Sequence, residues 1–323
     1  MKKRVEPMMR GEMTGGATRH VLEVDDLGPD GLEEVLALAE RDPAALPRTL
    51  EGRGVALVFE KPSARTRNSS EMAVVALGGH PVYIQGAEVG IDTRETAADV
   101  ARTLACYHRV VCARVMDHGT LERMAGALDA ADVPVPVVNL LSDRAHPCQA
   151  IADLLTLRQH FGVTGARERS VAYIGDANNV WRSLALAASM AGIPTRVASP
   201  SGYGPTEADI ALVRSFGGDL VVTTDPIEAA SGADALYTDV WTSMGQEDER
   251  AARLAAFAGF CVDESLLALA APGALVMHCL PAHRGEEISA GVVDGQQSVV
   301  WQQAENRMHA MRGLLAWVTE VAK

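Results

Sequence analysis

The chain has 323 residues, of which 48% are hydrophobic, and its 42 acidic against 29 basic residues give a formal net charge of −13. That length exceeds what one hydrophobic core ordinarily serves, so two domains are expected. The negative charge argues against nucleic acid and anionic membranes as partners, and no stretch approaches the roughly 20 unbroken apolar residues of a membrane span.

Residues 1–20 read as a tail. Met1 to Arg19 is basic but carries Glu6, Glu12 and Gly15-Gly16, and lacks the apolar core of a secretory signal. Beyond it, short apolar runs alternate with amphipathic stretches, which predicts α/β layers around parallel sheets. In the first half, strands are expected over 55–59, 80–84, 110–114 and 135–139. Helices are expected over 31–41, 69–77, 96–107, 120–130 and 149–161. The polar, glycine-containing segment 162–169 can join two domains. A second set of strands follows over 170–175, 195–199, 219–223, 235–239 and 274–278, with 299–301 as a last short one. A final helix over 302–321 carries Met308, Met311, Leu314, Leu315 and Val318 at helical spacing, an apolar stripe in need of a partner. The five cysteines, Cys106, Cys112, Cys148, Cys261 and Cys279, are odd in number and scattered. They fit a reducing cytoplasm and argue against a disulfide framework or a zinc site.

Several polar positions punctuate this pattern. The apolar run Val55-Ala56-Leu57-Val58 leads into Ser63-Ala64-Arg65-Thr66-Arg67, hydroxyls and guanidiniums at the start of a helix. Free N–H groups and the positive end of the helix dipole gather at such a place, and Arg65 and Arg67 can add bidentate bonds to an oxyanion. A solvated basic loop is the competing reading. Arg114 ends the run Val110-Val111-Cys112-Ala113, where open α/β sheets bind ligands; taken alone, a strand-end arginine more often faces solvent. His146 precedes Pro147 at a helix start and by itself reads as a capping or packing residue. Its imidazole can also donate to a carbonyl oxygen that gains negative charge, and Gln149, one turn on, can accept from an NH₂ group. Asp239 ends a strand before Ser243-Met244-Gly245 and a polar loop. Gly175-Asp176-Ala177-Asn178-Asn179 follows another strand but lacks GxGxxG, so a dinucleotide is not expected. Cys279 in isolation reads as a buried structural thiol, and Arg307 as a surface helix arginine.

Five segments in order carry a specific likeness. Ser63-Ala64-Arg65-Thr66-Arg67, His146-Pro147-Cys148-Gln149, Asp239-Val240-Trp241-Thr242-Ser243-Met244-Gly245, His278-Cys279-Leu280-Pro281 and Glu305-Asn306-Arg307-Met308-His309 resemble the motifs of the aspartate/ornithine carbamoyltransferase superfamily. The likeness runs from Leu22 to Leu315, and the Ser-Met-Gly element points to its ornithine branch. It implies an α/β fold of two doubly wound parallel-sheet domains. Residues 21–150 would bind carbamoyl phosphate, completed by a C-terminal helix over 302–323 packing back on them, and 151–301 would bind ornithine. The implied reaction transfers the carbamoyl group of carbamoyl phosphate to the δ-amine of L-ornithine, giving L-citrulline and phosphate, without metal or organic cofactor.

By the same resemblance, Ser63, Ala64, Arg65, Thr66 and Arg67 hold the phosphate. Arg114 contacts the phosphate and the carbonyl oxygen, as His146 and Arg307 contact that oxygen. Pro147, Cys148 and Gln149 belong to the carbamoyl-phosphate motif. The backbone carbonyls of Cys279 and Leu280, before a cis Leu–Pro bond, receive the carbamoyl NH₂. Leu141, Asn179, Asp239, Ser243 and Met244 bind ornithine, Asp239 taking its α-ammonium and the Ser-Met-Gly loop closing over it. Cys279 paired with Asp239 would assist deprotonation of the δ-ammonium. Family members form trimers with active sites shared between subunits, and Glu88 stands where many have a glutamine that reaches a neighbour's carbamoyl phosphate. A carboxylate there repels phosphate unless it is protonated or paired, for instance with Arg94. Ala64 replaces a usual threonine, and Asn68-Ser69-Ser70-Glu71 replaces an aromatic-containing continuation. Two other readings stay open: a carbamoyltransferase for another amine, such as putrescine or an acylated ornithine, and a paralogue that binds carbamoyl phosphate but is impaired in turnover.

Overall fold

The computed structural model of the chain describes residues 18–242 and 247–320; Ser243 and Met244 lie outside them. Two parallel sheets organise the molecule. The first contains β1 (Gly54–Phe59), β2 (His80–Gln85), β3 (His108–Arg114) and β4 (Val137–Leu141), in the order β2-β1-β3-β4. The second contains β5 (Val171–Ile174), β6 (Thr195–Ala198), β7 (Leu220–Thr223), β8 (Ala235–Thr238) and β9 (Leu275–His278), in the order β7-β6-β5-β8-β9. Every pairing is parallel. Both faces of the central strands are covered, which is why Val55-Ala56-Leu57-Val58 and Val110-Val111-Cys112-Ala113 are unbroken apolar runs with no exposed surface.

In each sheet the chain reverses its direction of winding once, between β1 and β3 and between β5 and β8. Such switch points leave a crevice outside the carboxyl ends of the strands. Here those ends carry the loop before Ser63, Arg114, the turn Gly175 to Asn179, and Asp239. The topology alone therefore brings the polar segments of both halves to two facing crevices.

Four helices matter most to the site. Helix Ala64–Ala76 begins where Ser63, in extended conformation, accepts the Thr66 backbone N–H. It starts earlier than the expected 69–77, so Arg65 and Arg67 sit in its first turn and not in a preceding loop. Helix Pro147–Phe161 opens with proline and is buried from Pro147 through Arg158, because it runs between the two sheets. It stops at Gly162, whose φ of 76° favours glycine. Helix Asn179–Ala191 is capped by the Asn178 side chain, which accepts from the N–H groups of Val180 and Trp181. The C-terminal helix Val300–Thr319 packs on helices Gly28–Glu40, Ala64–Ala76 and Pro147–Phe161. At Gly313 a Cβ would lie 2.6 Å from the Val35 carbonyl oxygen, so only glycine admits that close crossing.

The short strand expected over 299–301 is absent among the described residues. Ser298 makes one isolated bridge to Val276, and Val299 then caps the last helix. The Val299 N–H donates to the Val276 carbonyl at 3.0 Å, but the helix starts at Val300, and of the run only Trp301 is exposed. Of the tail expected over 1–20, Arg19 and His20 are fastened to the fold. Arg19 donates to the Trp317 carbonyl at 3.0 Å, and His20 Nδ1 accepts the Val137 N–H at 2.9 Å. Among the described residues no helix is long and apolar enough to cross a membrane.

Candidate active site

A cavity of about 790 Å³ opens between the carboxyl ends of the two sheets. Ser63, Ala64, Arg65, Thr66, Arg114, Leu141, His146 and Arg307 line it from one side, and Asn179, Asp239, Cys279 and Leu280 from the other. A smaller cavity of about 300 Å³ adjoins it, sharing Arg65, Cys279 and Arg307 and adding Gln149.

On the first side the chemistry is cationic. Arg114 is 7% exposed, and burial with Arg307 and Arg65 nearby pushes its pKa down to about 10. Burial also lowers Arg307. His146 is held well below the usual imidazole range by burial first, then by Arg307, Arg114 and Arg65, so it is neutral at neutral pH. Among the described residues no carboxylate forms an ion pair with Arg65, Arg114 or Arg307. The Nε atoms of Arg114 and Arg307 and Nδ1 of His146 are buried without a hydrogen-bond partner. Unmade bonds of this kind are costly, and several that converge on one cavity mark a place built for an anion. The first turn of helix Ala64–Ala76 adds free backbone N–H groups to the same side.

His146 is positioned from the other half of the molecule: its backbone N–H donates to Ser183 Oγ at 2.8 Å, and Asn179 Nδ2 donates to the Ser142 carbonyl at 2.6 Å. Both partners lie on helix Asn179–Ala191, which docks against the loop after β4.

The second side is acidic. Asp239 Oδ1 accepts the Cys279 thiol at 3.0 Å, and Oδ2 accepts Asn178 Nδ2 at 2.9 Å. Burial, then the Asp239 carboxylate, raises the Cys279 pKa well above that of a free thiol. The thiol is thus a proton donor to Asp239 in this arrangement. The Leu280–Pro281 bond is cis and Leu280 has φ 58°. The Leu280 N–H donates to His278 Nδ1 at 2.9 Å, so Nε2 carries the proton and donates to Glu287 at 3.1 Å. Asp239, His278 and Cys279 present one ligand atom each within 4.8 Å of one another. In the arrangement seen, those atoms are engaged with one another, with Leu280 and with Glu287.

Five residues read into the site from the sequence do not line the large cavity. Arg67 donates to Glu71 at 2.8 Å and lies over the Tyr83 ring at 3.8 Å. Two positions along a helix turn a side chain by roughly 200°, so Arg65 and Arg67 in one helical turn face opposite ways. Cys148 points into the core, its sulfur 3.8 Å from that of Met311, and burial pushes its pKa up to about 11. Pro147 serves as the first residue of its helix. Glu88 is exposed on the short helix Gly86–Val89, and Arg94 donates to its backbone carbonyl rather than to its carboxylate. Gln149 reaches only the smaller cavity, and its Oε1 accepts from Arg307 Nη1 at 2.6 Å. Sequence reasoning missed Arg253 and Ser183. Arg253 ties the cavity-lining Asp176 at 2.7 Å to the Trp241 carbonyl at 3.1 Å. Neither residue lies in a recognisable motif.

Comparison with known proteins agrees with this division of labour. Residues 19–159 match the family described as aspartate/ornithine carbamoyltransferase, carbamoyl-P binding domain, and residues 167–318 match its Asp/Orn binding domain. A protein of Acidothermus cellulolyticus called ornithine carbamoyltransferase is 49% identical over 94% of this chain and 97% of its own length. One of the same name from Thermus thermophilus is 48% identical, covering 92% and 95%. The solved ornithine carbamoyltransferase from Pyrococcus furiosus superposes with a TM-score of 0.87 at 41% identity, over 95% of this chain and 99% of that one. The crystal structure of the enzyme from Thermus thermophilus gives 0.83 at 43% identity, over 94% and 100%. With both halves matched and the cationic and acidic walls in the corresponding halves, the chain belongs to the aspartate/ornithine carbamoyltransferase family.

Proposed function

We propose that the protein transfers the carbamoyl group of carbamoyl phosphate to the δ-amine of L-ornithine, giving L-citrulline and phosphate. The observation that carries this reading is the convergence of Arg65, Arg114, Arg307 and a neutral His146, without an opposing carboxylate, across one cavity from Asp239 and Cys279. Residues 21–150 with the last helix supply the phosphate side, and 151–301 the amino-acid side.

Ser63, Arg65, Thr66 and the N–H groups of the first helical turn hold the phosphate. Ala64 contributes its backbone there in place of a hydroxyl. The neutral δ-amine attacks the carbonyl carbon, and Arg114, Arg307 and the His146 imidazole donate to the oxygen as it becomes negative. The bond from carbon to the phosphate oxygen then breaks, and phosphate leaves with its charge compensated by the same guanidiniums. Asp239 takes the α-ammonium and Asn179 the amino-acid end. The Cys279 sulfur accepts a proton from the δ-ammonium as its own S–H proton passes to Asp239. Ser243 and Met244 contribute to binding ornithine. The exclusion of water protects a hydrolysable reagent.

Formation of the ureido product, measured with ornithine, putrescine and N-acetylornithine as acceptors, tests the reading. Ornithine alone should be carbamoylated efficiently. Its δ-amine resembles a lysine amine and is mostly protonated at neutral pH, so kcat/KM for ornithine should rise about tenfold per unit between roughly pH 6 and 8. His146, already neutral, adds no step in that range. A flat profile, or a preference for putrescine, would contradict the assignment.

The assembly is proposed to be a homotrimer with shared active sites. The exposure of Glu88 outside its own chain's cavity supports this. In a trimer it would face a neighbour's carbamoyl phosphate, so Glu88→Gln should tighten carbamoyl phosphate, or at least not weaken it, by removing like-charge repulsion. Light-scattering mass and carbamoyl-phosphate titration read both parts. A fully active monomer would refute the shared site, and a large loss of affinity would show a favourable carboxylate contact. The cytoplasm is the proposed location, supported by five cysteines that are all unpaired.

A further inference from the structure

Four polar residues form a chain of bonds behind the guanidinium cluster. Gln149 and Asp153 lie one turn apart on helix Pro147–Phe161; Gln303 and Arg307 lie one turn apart on the C-terminal helix that packs against it. Asp153 is fully buried, and its Oδ1 accepts from Gln149 Nε2 at 2.8 Å and from Gln303 Nε2 at 2.7 Å. Each amide oxygen then points the opposite way. Gln149 Oε1 accepts from Arg307 Nη1 at 2.6 Å, and Gln303 Oε1 accepts the His278 backbone N–H at 2.9 Å.

Neither amide can turn over. Reversed, Gln149 would set its NH₂ against a guanidinium and its oxygen against a carboxylate. Gln303 would set its NH₂ against the His278 N–H in the same way. One acceptor therefore fixes two amides, and through them a cation of the phosphate side and the strand end that leads into Cys279.

Asp153 Oδ2 is buried without a partner, and desolvation raises the group's pKa to about 7. Without this carboxylate the buried NH₂ groups of Gln149 and Gln303 would each lack their acceptor, so melting is read alongside turnover. Its presence is accounted for by what it orients.

We propose that Asp153 is a positioning residue for carbamoyl transfer: as an acceptor for both Gln149 and Gln303, it holds Arg307 and the backbone before Cys279 in register with each other. The proposal rests on the carbamoyl-transfer reading and names what sets the geometry of that site. It touches no substrate itself. Misplacement of a reacting group by about 1 Å lowers rate by ~10²-fold, which sets the scale of the expected effect.

The test compares Asp153→Ala, Asp153→Leu and Asp153→Asn with the parent by citrulline turnover per folded molecule, ornithine KM and thermal melting. The leucine variant fills the space without supplying an acceptor. Alanine and leucine should each lower kcat by ~10²-fold with ornithine KM little changed, because the amine side keeps Asp239. Asparagine retains an oxygen at the Oδ1 position and should recover most of that loss. Parent-like kcat in either apolar variant, with only melting altered, would overturn the proposal. So would an asparagine variant no better than leucine, or failure of both apolar variants to fold, which would show a structural role. A parent that makes no citrulline would remove the functional reading and this one together; an active parent with an equally active leucine variant would remove this one alone.

Discussion

Replacing Arg114 by methionine should nearly abolish carbamoyl-phosphate use and, at the same time, stabilise the ligand-free protein. Arg114 is buried among cations, and its pKa is pushed down from the ordinary guanidinium range to about 10. A cation whose folded pKa is depressed weakens the fold at every pH below the folded value, and the penalty fades only as pH rises from about 10 towards the unfolded value. At neutral pH the penalty is therefore complete, and methionine removes it. The gain should be roughly 1–3 kcal/mol, read as a higher melting temperature without ligand. The functional loss runs the other way. A bidentate charge-assisted contact to phosphate contributes about 3 kcal/mol, and an oxyanion donor ~10²–10³-fold in kcat. Added carbamoyl phosphate should raise the melting temperature of the parent and leave that of the variant unmoved. A variant that melts lower than the parent and still binds the ligand would mean that Arg114 is a structural cation.

Asp239→Asn should raise the ornithine requirement by about 10²-fold or more while sparing carbamoyl phosphate. The side chain is buried at the end of β8 and accepts from both Cys279 and Asn178. Loss of one partner in a buried charge pair costs about 2–5 kcal/mol, here charged to the α-ammonium of ornithine. The same carboxylate is a cause, second to burial, of the raised Cys279 pKa. The variant's thiol should therefore react with an alkylating agent at lower pH than the parent's. Unchanged ornithine kinetics would sink the assignment, and an unchanged alkylation profile would show that burial alone controls the thiol.

The strands were legible because a parallel strand covered on both faces must be apolar along its length, as Val55 to Val58 and Val110 to Ala113 are. The polar residues at their carboxyl ends, Arg114 and Asp239, were read into the site through the family resemblance, since either one alone fits a solvent-facing strand end. Helix starts were read less well. Arg65 and Arg67 look like loop residues in a linear string, and only the Ser63 cap shows that the helix already includes them. Adjacency also misled at Arg67, since neighbours in a helix diverge in direction. Val299 to Trp301 has strand composition, yet its pairing with β9 ends at Val299 because the helix begins at Val300. Asp153 and Gln303 carried no local signal at all, because their meaning lies in a bond across 150 residues of sequence.

That long reach bears on how the protein is made. Helix Val300–Thr319 fills the groove between helices Gly28–Glu40, Ala64–Ala76 and Pro147–Phe161, so the first sheet's layer of helices is completed by residues made after the whole second half. Domains usually fold in order as they emerge from the ribosome. Here the first half must wait with an apolar groove uncovered until residues 300–319 have been made. Contacts between the two ends of a chain also close slowly. The nascent protein should thus depend on chaperones for longer than two independent domains would, and a stop codon before Val300 should leave the phosphate side unable to fold stably.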